Sequence, residues 1–154
     1  MNLDVGSGGG PYHWRPRAEV CASLDIPHGH REEMIVKSDA QRLPFRDKMF
    51  QTVFAFNLLE HVENPWEVLR ELRRVGLLVH VRQDTMFNLA SYATPEHLWF
   101  QLPGLHFLPY PRTRVGIALS LRLRRFILGL KVHPVRLVLG RFMSPHQQYD
   151  VILA

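Results

Sequence analysis

The sequence predicts an α/β fold on a mostly parallel sheet. Strand-like apolar runs alternate with helix-like or turn-rich segments, the pattern of parallel strands joined by crossovers. A glycine-rich turn, Gly6-Ser7-Gly8-Gly9-Gly10, follows directly on the apolar run Leu3-Asp4-Val5. Glycines placed straight after a strand leave the backbone open to close approach by a ligand. The chain has 154 residues, 46% of them hydrophobic. That is enough for one sizeable core, and no repeat or low-complexity linker divides it, so a single domain over 1–154 is expected.

The elements follow in order. Leu3–Val5 reads as the end of a first strand. Pro11 and Pro16 then permit at most a short, irregular helix. Glu19–Leu24 reads as a second strand ending at Asp25, and Ile35–Lys37 as a short third. Met49–Phe56 is partly β-branched and aromatic, and reads as the fourth. Asn64-Pro65-Trp66-Glu67 is a helix start: Asn64 can cap, Pro65 suits the first helical position, and Glu67 stands three residues after the cap. Val68, Leu69, Leu72 and Val75 recur at helical spacing until Gly76. Leu77–Val81 is the fifth strand. Residues 86–112 are rich in aromatics and proline and show no period. Leu119, Leu123, Phe126, Ile127 and Leu130 form one face of a further helix. Val132–Leu139 and Tyr149–Leu153 are two closing strands, which brings the sheet to seven.

Composition excludes several classes. Cys21 is the only cysteine, so an intrachain disulfide is impossible, which accords with a reducing, cytoplasmic setting. The most apolar stretch, Val115–Leu130, carries Arg122, Arg124 and Arg125, which argues against a membrane span. The first residues show no signal-peptide pattern. The net charge of +5 is uneven: residues 1–110 hold 11 Lys/Arg against 13 Asp/Glu, and residues 111–154 hold 8 against Asp150 alone. The basic segment is read as a solvated face. No aromatic interleaving marks a nucleic-acid module, so nucleic acid is not expected as a partner.

The glycine spacing narrows the ligand. A dinucleotide fingerprint needs G-x-G-x-x-G. Here Gly6, Gly8 and Gly10 alternate, and Pro11 takes the third position of that pattern. Asp4 stands just before the glycines. A carboxylate there repels a pyrophosphate and attracts a cationic or amine-bearing ligand. A sulfonium cofactor with an amino-acid tail fits better, and a nicotinamide oxidoreductase fits worse.

Four ordered motifs make the chain resemble the class I S-adenosylmethionine-dependent methyltransferases, specifically the small-molecule, type 11-like branch. Asp4-Val5-Gly6-Ser7-Gly8-Gly9-Gly10 resembles the family's first motif. Asp25, with Ile26 beside it, falls at the end of the second strand, where the family places the acid that binds the ribose hydroxyls. A carboxylate can accept both bonds of a vicinal diol. Ser38-Asp39-Ala40-Gln41-Arg42-Leu43-Pro44-Phe45 resembles the family's D-A-x-x-L-P-F segment, which puts Asp39 at the adenine amine and Ala40 beside the ring. Phe56-Asn57-Leu58-Leu59-Glu60-His61-Val62 resembles its L-E-H segment after the fourth strand.

The resemblance implies a Rossmann-like seven-stranded sheet of order 3-2-1-4-5-7-6, with Tyr149–Leu153 antiparallel. It implies S-adenosylmethionine as cofactor, held by Asp4, Gly6, Gly8, Gly10, Asp25, Ile26, Asp39, Ala40 and Asn57. It also implies a small-molecule methyl acceptor approached in part from residues 86–112. The family's helix before the first strand and its Pro-Gly-Gly turn before the fifth have no counterpart here, so an N-terminally truncated version of the fold is expected.

Each candidate also has a plainer reading. Asp4 can cap the glycine turn, Asp25 can be a turn residue before Ile26-Pro27, and Asp39 can close its own turn. Asn57 can serve the backbone at the strand end. Glu60 and His61 can order their loop, or His61 can take a proton from the acceptor. His28, His30 and Asp25 imitate a metal site only weakly, and no metal is expected. An alternative function is a non-catalytic, methyltransferase-like binding or interaction module.

Overall fold

The computed structural model describes residues 1–6, 18–24, 34–84, 96–102, 105–110, 122 and 148–154. The elements are β1 (Asn2–Val5), β2 (Val20–Ser23), β3 (Met34–Lys37), β4 (Phe50–Phe56), α1 (Pro65–Val75), β5 (Gly76–Asp84), β6 (Trp99–Leu102), β7 (His106–Pro109) and β8 (Gln148–Leu153). Two compact units divide the chain: Met1–Arg82 with Asp150–Ala154, and Gln83–Tyr149.

The main sheet has the order β3-β2-β1-β4-β5-β8. Its first five strands pair in parallel, and the last strand runs antiparallel. This is the α/β, Rossmann-like arrangement expected from the sequence, with the five early strands starting and stopping within two or three residues of the expected bounds. The expected strand Val132–Leu139 lies outside the described residues, as does the expected helix face at Leu119–Leu130.

Register explains the burial. Leu3 lies beside Val20 and Val53, and Val53 beside Val79; Val5 lies beside Ala22 and Ala55, and Ala55 beside Val81. Side chains in one such row share a face. All eight are buried, so this face is the core. The opposite face carries Cys21, Asp4, Phe54 and His80 in one row, with Phe56 and Arg82 in the next. Phe56 meets His80 edge-on at 5.0 Å, and the Arg82 guanidinium lies 4.6 Å from the Phe56 ring centre.

Helix α1 begins as its sequence dictates. Asn64 is extended, and its side-chain oxygen accepts from the Glu67 amide at 3.2 Å. The helix packs against β4 and buries Val68, Leu69, Leu72 and Val75. Gly76 does end it, in extended rather than left-handed backbone, and is at once the first residue of β5. A Cβ at Gly76 would meet Val53 Cγ2 at 2.6 Å. Glycine is required here because helix and strand meet directly above β4.

In the second unit, β6 and β7 form an antiparallel hairpin within the stretch that showed no period. Four-residue strands are too short for alternation to register. The Tyr110 amide donates to the Leu98 carbonyl at 2.8 Å, and the Phe100 and Tyr110 rings lie 4.7 Å apart, tilted by 41°.

Candidate functional site

Because β1 to β5 are parallel, their carboxyl ends share one edge of the sheet. Ligands of open α/β sheets bind at that edge. The described candidates all belong to it. Asp4 and Gly6 close β1, Asp39 and Ala40 follow β3, Asn57 follows β4, and His61 lies in the next turn. Strand spacing puts the β1 and β3 ends roughly 10 Å apart, the scale of a nucleoside. Gly8, Gly10, Asp25 and Ile26 lie outside the described residues.

Asp4 is 3% exposed, in the row between Cys21 and Phe54. A carboxylate is rarely so buried without a purpose. Gly6 has a φ of +76, and its amide donates to the Ala22 carbonyl at 2.8 Å. A Cβ there would come within 2.7 Å of Leu58 Cδ1. The space beside Gly6 is thus taken by the chain's own post-β4 loop. At this glycine the missing Cβ serves the turn and the packing of Leu58.

The Ser38 amide donates to the Ser23 carbonyl at 3.0 Å, which extends the β2–β3 pairing to the loop. Asp39 Oδ1 accepts from the Gln41 amide at 2.9 Å, and the Asp39 carbonyl from the Arg42 amide at 3.0 Å. Asp39 therefore does close its own turn through Oδ1, and its Oδ2 makes no hydrogen bond among the described residues. Ala40 is buried beside it. Sequence reasoning missed Ser38 as a site residue. Its hydroxyl is buried and makes no hydrogen bond among the described residues, an expensive state unless a ligand completes it.

Asn57 has a φ of +51, and its amide donates to the Arg82 carbonyl at 2.8 Å. Its side chain is exposed at the sheet edge. Asparagine tolerates left-handed backbone better than most residues, so the backbone role alone accounts for the residue type. Glu60 is buried and His61 exposed, in a turn closed by the His61 amide on the Leu58 carbonyl at 3.0 Å.

Residues 3–77 match the family model described as a methyltransferase domain. Over this segment, 75 of the chain's 154 residues, the chain is similar to that family. The matched methyltransferase segment runs from β1 into β5 and contains every site candidate. Its type 11-like character agrees with the four motifs. Among solved structures, the chain is similar to an S-adenosylmethionine-dependent methyltransferase of Thermotoga maritima at 18% identity and a TM-score of 0.48, covering 55% of this chain and 44% of that one. It is also similar to the YcgJ protein of Bacillus subtilis at 21% identity and a TM-score of 0.47, covering 62% and 53%. The cyclase SpnF aligns at 15% identity and a TM-score of 0.47, covering 99% and 73%. The chain spans about half the length of the first two of these. No curated protein is significantly similar to it in sequence. Among the described residues, no helix is long and apolar enough to cross a membrane.

Proposed function

We propose that the chain binds S-adenosylmethionine at the carboxyl edge of its parallel sheet and passes the methyl group to a small-molecule acceptor. The observation that carries this reading is the pairing of a buried acid at the end of β1 with an unsatisfied hydroxyl and a half-used carboxylate after β3, all inside the methyltransferase segment. These groups suit the two ends of the cofactor. Asp4 faces the amino-acid end, where its negative charge favours an ammonium or sulfonium. Ser38 and Asp39 Oδ2 face the adenine end, where a hydroxyl and a carboxylate can take an exocyclic amine.

The bound cofactor supplies a methyl carbon made electrophilic by its sulfonium sulfur. The chain's contribution is mostly positional, since in-line displacement gains most from alignment. Asp4 and the β1 turn fix one end, and the Ser38–Ala40 segment fixes the other. His61, exposed on the same edge, is the candidate to accept the proton that a hydroxyl or amine acceptor releases.

Calorimetric titration with S-adenosylhomocysteine tests the reading. Saturable binding is expected, weakened at least tenfold by Asp4→Asn. No binding at millimolar ligand overturns it. Should a His61→Asn variant bind as tightly and turn over about a hundredfold more slowly, the proton role stands; binding with no transfer to any acceptor points instead to the non-catalytic module.

A further inference from the structure

The connection between β3 and β4 is held by α1 through a set of contacts that no local sequence signal announces. Arg74 points its guanidinium into the 43–47 stretch. Its Nε donates to Glu71 Oε1 at 2.9 Å. One Nη1 hydrogen goes to the Phe45 carbonyl and the other to Asp47 Oδ1, both at 2.8 Å. One Nη2 hydrogen goes to the Leu43 carbonyl at 3.0 Å and the other to Glu71 Oε2 at 2.8 Å. A guanidinium has five N–H groups, and all five are used. Glu71 Oε2 accepts in addition from the Leu43 amide at 3.1 Å. Both polar groups of the Leu43 backbone are therefore bound by one Glu–Arg pair a single helical turn apart, and the Leu43 side chain is buried.

Leu43 directly follows the Asp39–Arg42 turn. A turn anchored at Ser38 by β2 and at Leu43 by α1 has little freedom between the anchors. We propose that Glu71 and Arg74 are positioning residues for the adenine side of the site: they hold Leu43 and Phe45 so that Asp39 and Ala40 keep the shape that recognises the base. This rests on the cofactor reading above. Arginine is needed because its planar fork reaches carboxylate and carbonyls together. A lysine keeps the charge, has three donors on one nitrogen, and cannot span them.

The test compares S-adenosylhomocysteine with its inosine counterpart, in which an oxo group replaces the adenine amine, and reads amide hydrogen exchange at Leu43. The wild-type chain is expected to prefer the adenine ligand by about tenfold or more, the worth of one well-placed hydrogen bond. Arg74→Lys is expected to reduce that preference below about threefold and to speed exchange at Leu43 about tenfold. Glu71→Gln is expected to do the same to a smaller degree, and carries the test if Arg74→Lys does not fold. Asp47→Ala removes only an exposed partner and is expected to leave both readouts unchanged. A preference equal to wild type in Arg74→Lys and Glu71→Gln overturns the positioning role while the cofactor reading stands. A wild-type chain that binds neither ligand overturns the cofactor reading and this inference with it.

Discussion

At position 6 two requirements fall on one residue. The backbone is left-handed, and the direction a Cβ would take is filled by Leu58. Left-handed backbone costs a residue with a Cβ about 1–2 kcal/mol, and overpacking adds about 1–3. Gly6→Ala is therefore expected to lower unfolding stability by about 2–5 kcal/mol in urea titrations. In a Leu58→Ala background the same change is expected to cost less, about 1–2 kcal/mol, because the Cδ1 and Cγ contacts are gone, the 3.2 Å contact with the residue 58 Cβ stays, and the dihedral part remains. Equal costs in both backgrounds would show that Leu58 does not set the requirement.

At the scale of the element, α1 is a helix closed at both ends by residues of different origin. Asn64 caps its start locally. Its end is closed from outside, by the Lys48 ammonium on the Arg73 and Gly76 carbonyls, both at 3.0 Å, and by the Lys48 amide on the Arg74 carbonyl at 2.8 Å. Lys48 itself has a φ of +55. A cation at a helix C-terminus also complements the helix dipole. The helix is tied to the site loop by Glu71, whose carboxyl is held below its ordinary value of 4.5 first by the Arg74 hydrogen bonds, against a smaller opposing effect of burial. A folded-state value below the unfolded one means that the unfolded chain binds the proton more readily. The stabilisation is thus present above pH 4.5 and is lost as pH falls below it, through the depressed value. Glu71→Gln is expected to flatten the stability–pH curve in that acidic window and leave its slope near neutrality unchanged, read by urea unfolding at a series of pH values.

At the scale of the whole molecule, stability and binding are linked. The candidate groups come from β1, the β3–β4 loop and the loop after β4, which are neighbours only in the folded sheet. A ligand that bridges them binds the folded state and not the unfolded one. S-adenosylhomocysteine at a hundred times its Kd is expected to stabilise the chain by about 2.7 kcal/mol, seen as a rise in Tm that grows with ligand concentration. Binding without a rise in Tm would place the ligand on a segment that is equally accessible when unfolded.

The sequence by itself determined the order and type of the first five strands and of α1, because each has a local physical cause. Asn64-Pro65 starts a helix, the 3.6-residue spacing of Val68, Leu69, Leu72 and Val75 gives it a face, and the runs at 3–5, 20–23 and 50–56 suit buried pleated strands. The parallel sheet followed from their alternation with crossovers, and the methyltransferase family from ordered motifs. The β6–β7 hairpin was not legible in the sequence, because its two four-residue strands lie in an aromatic-rich stretch without a period. Tertiary structure alone decided which contacts the polar candidates make. It packed Leu58 against Gly6, engaged one oxygen of Asp39 in its own turn, left the Ser38 hydroxyl buried and unsatisfied among the described residues, and closed Arg74 around a stretch 27 to 31 positions away. The physical reason is range. Propensity, capping and periodicity act over a few residues, whereas a hydrogen bond across a fold depends on where the sheet register and the helix packing bring two distant backbones.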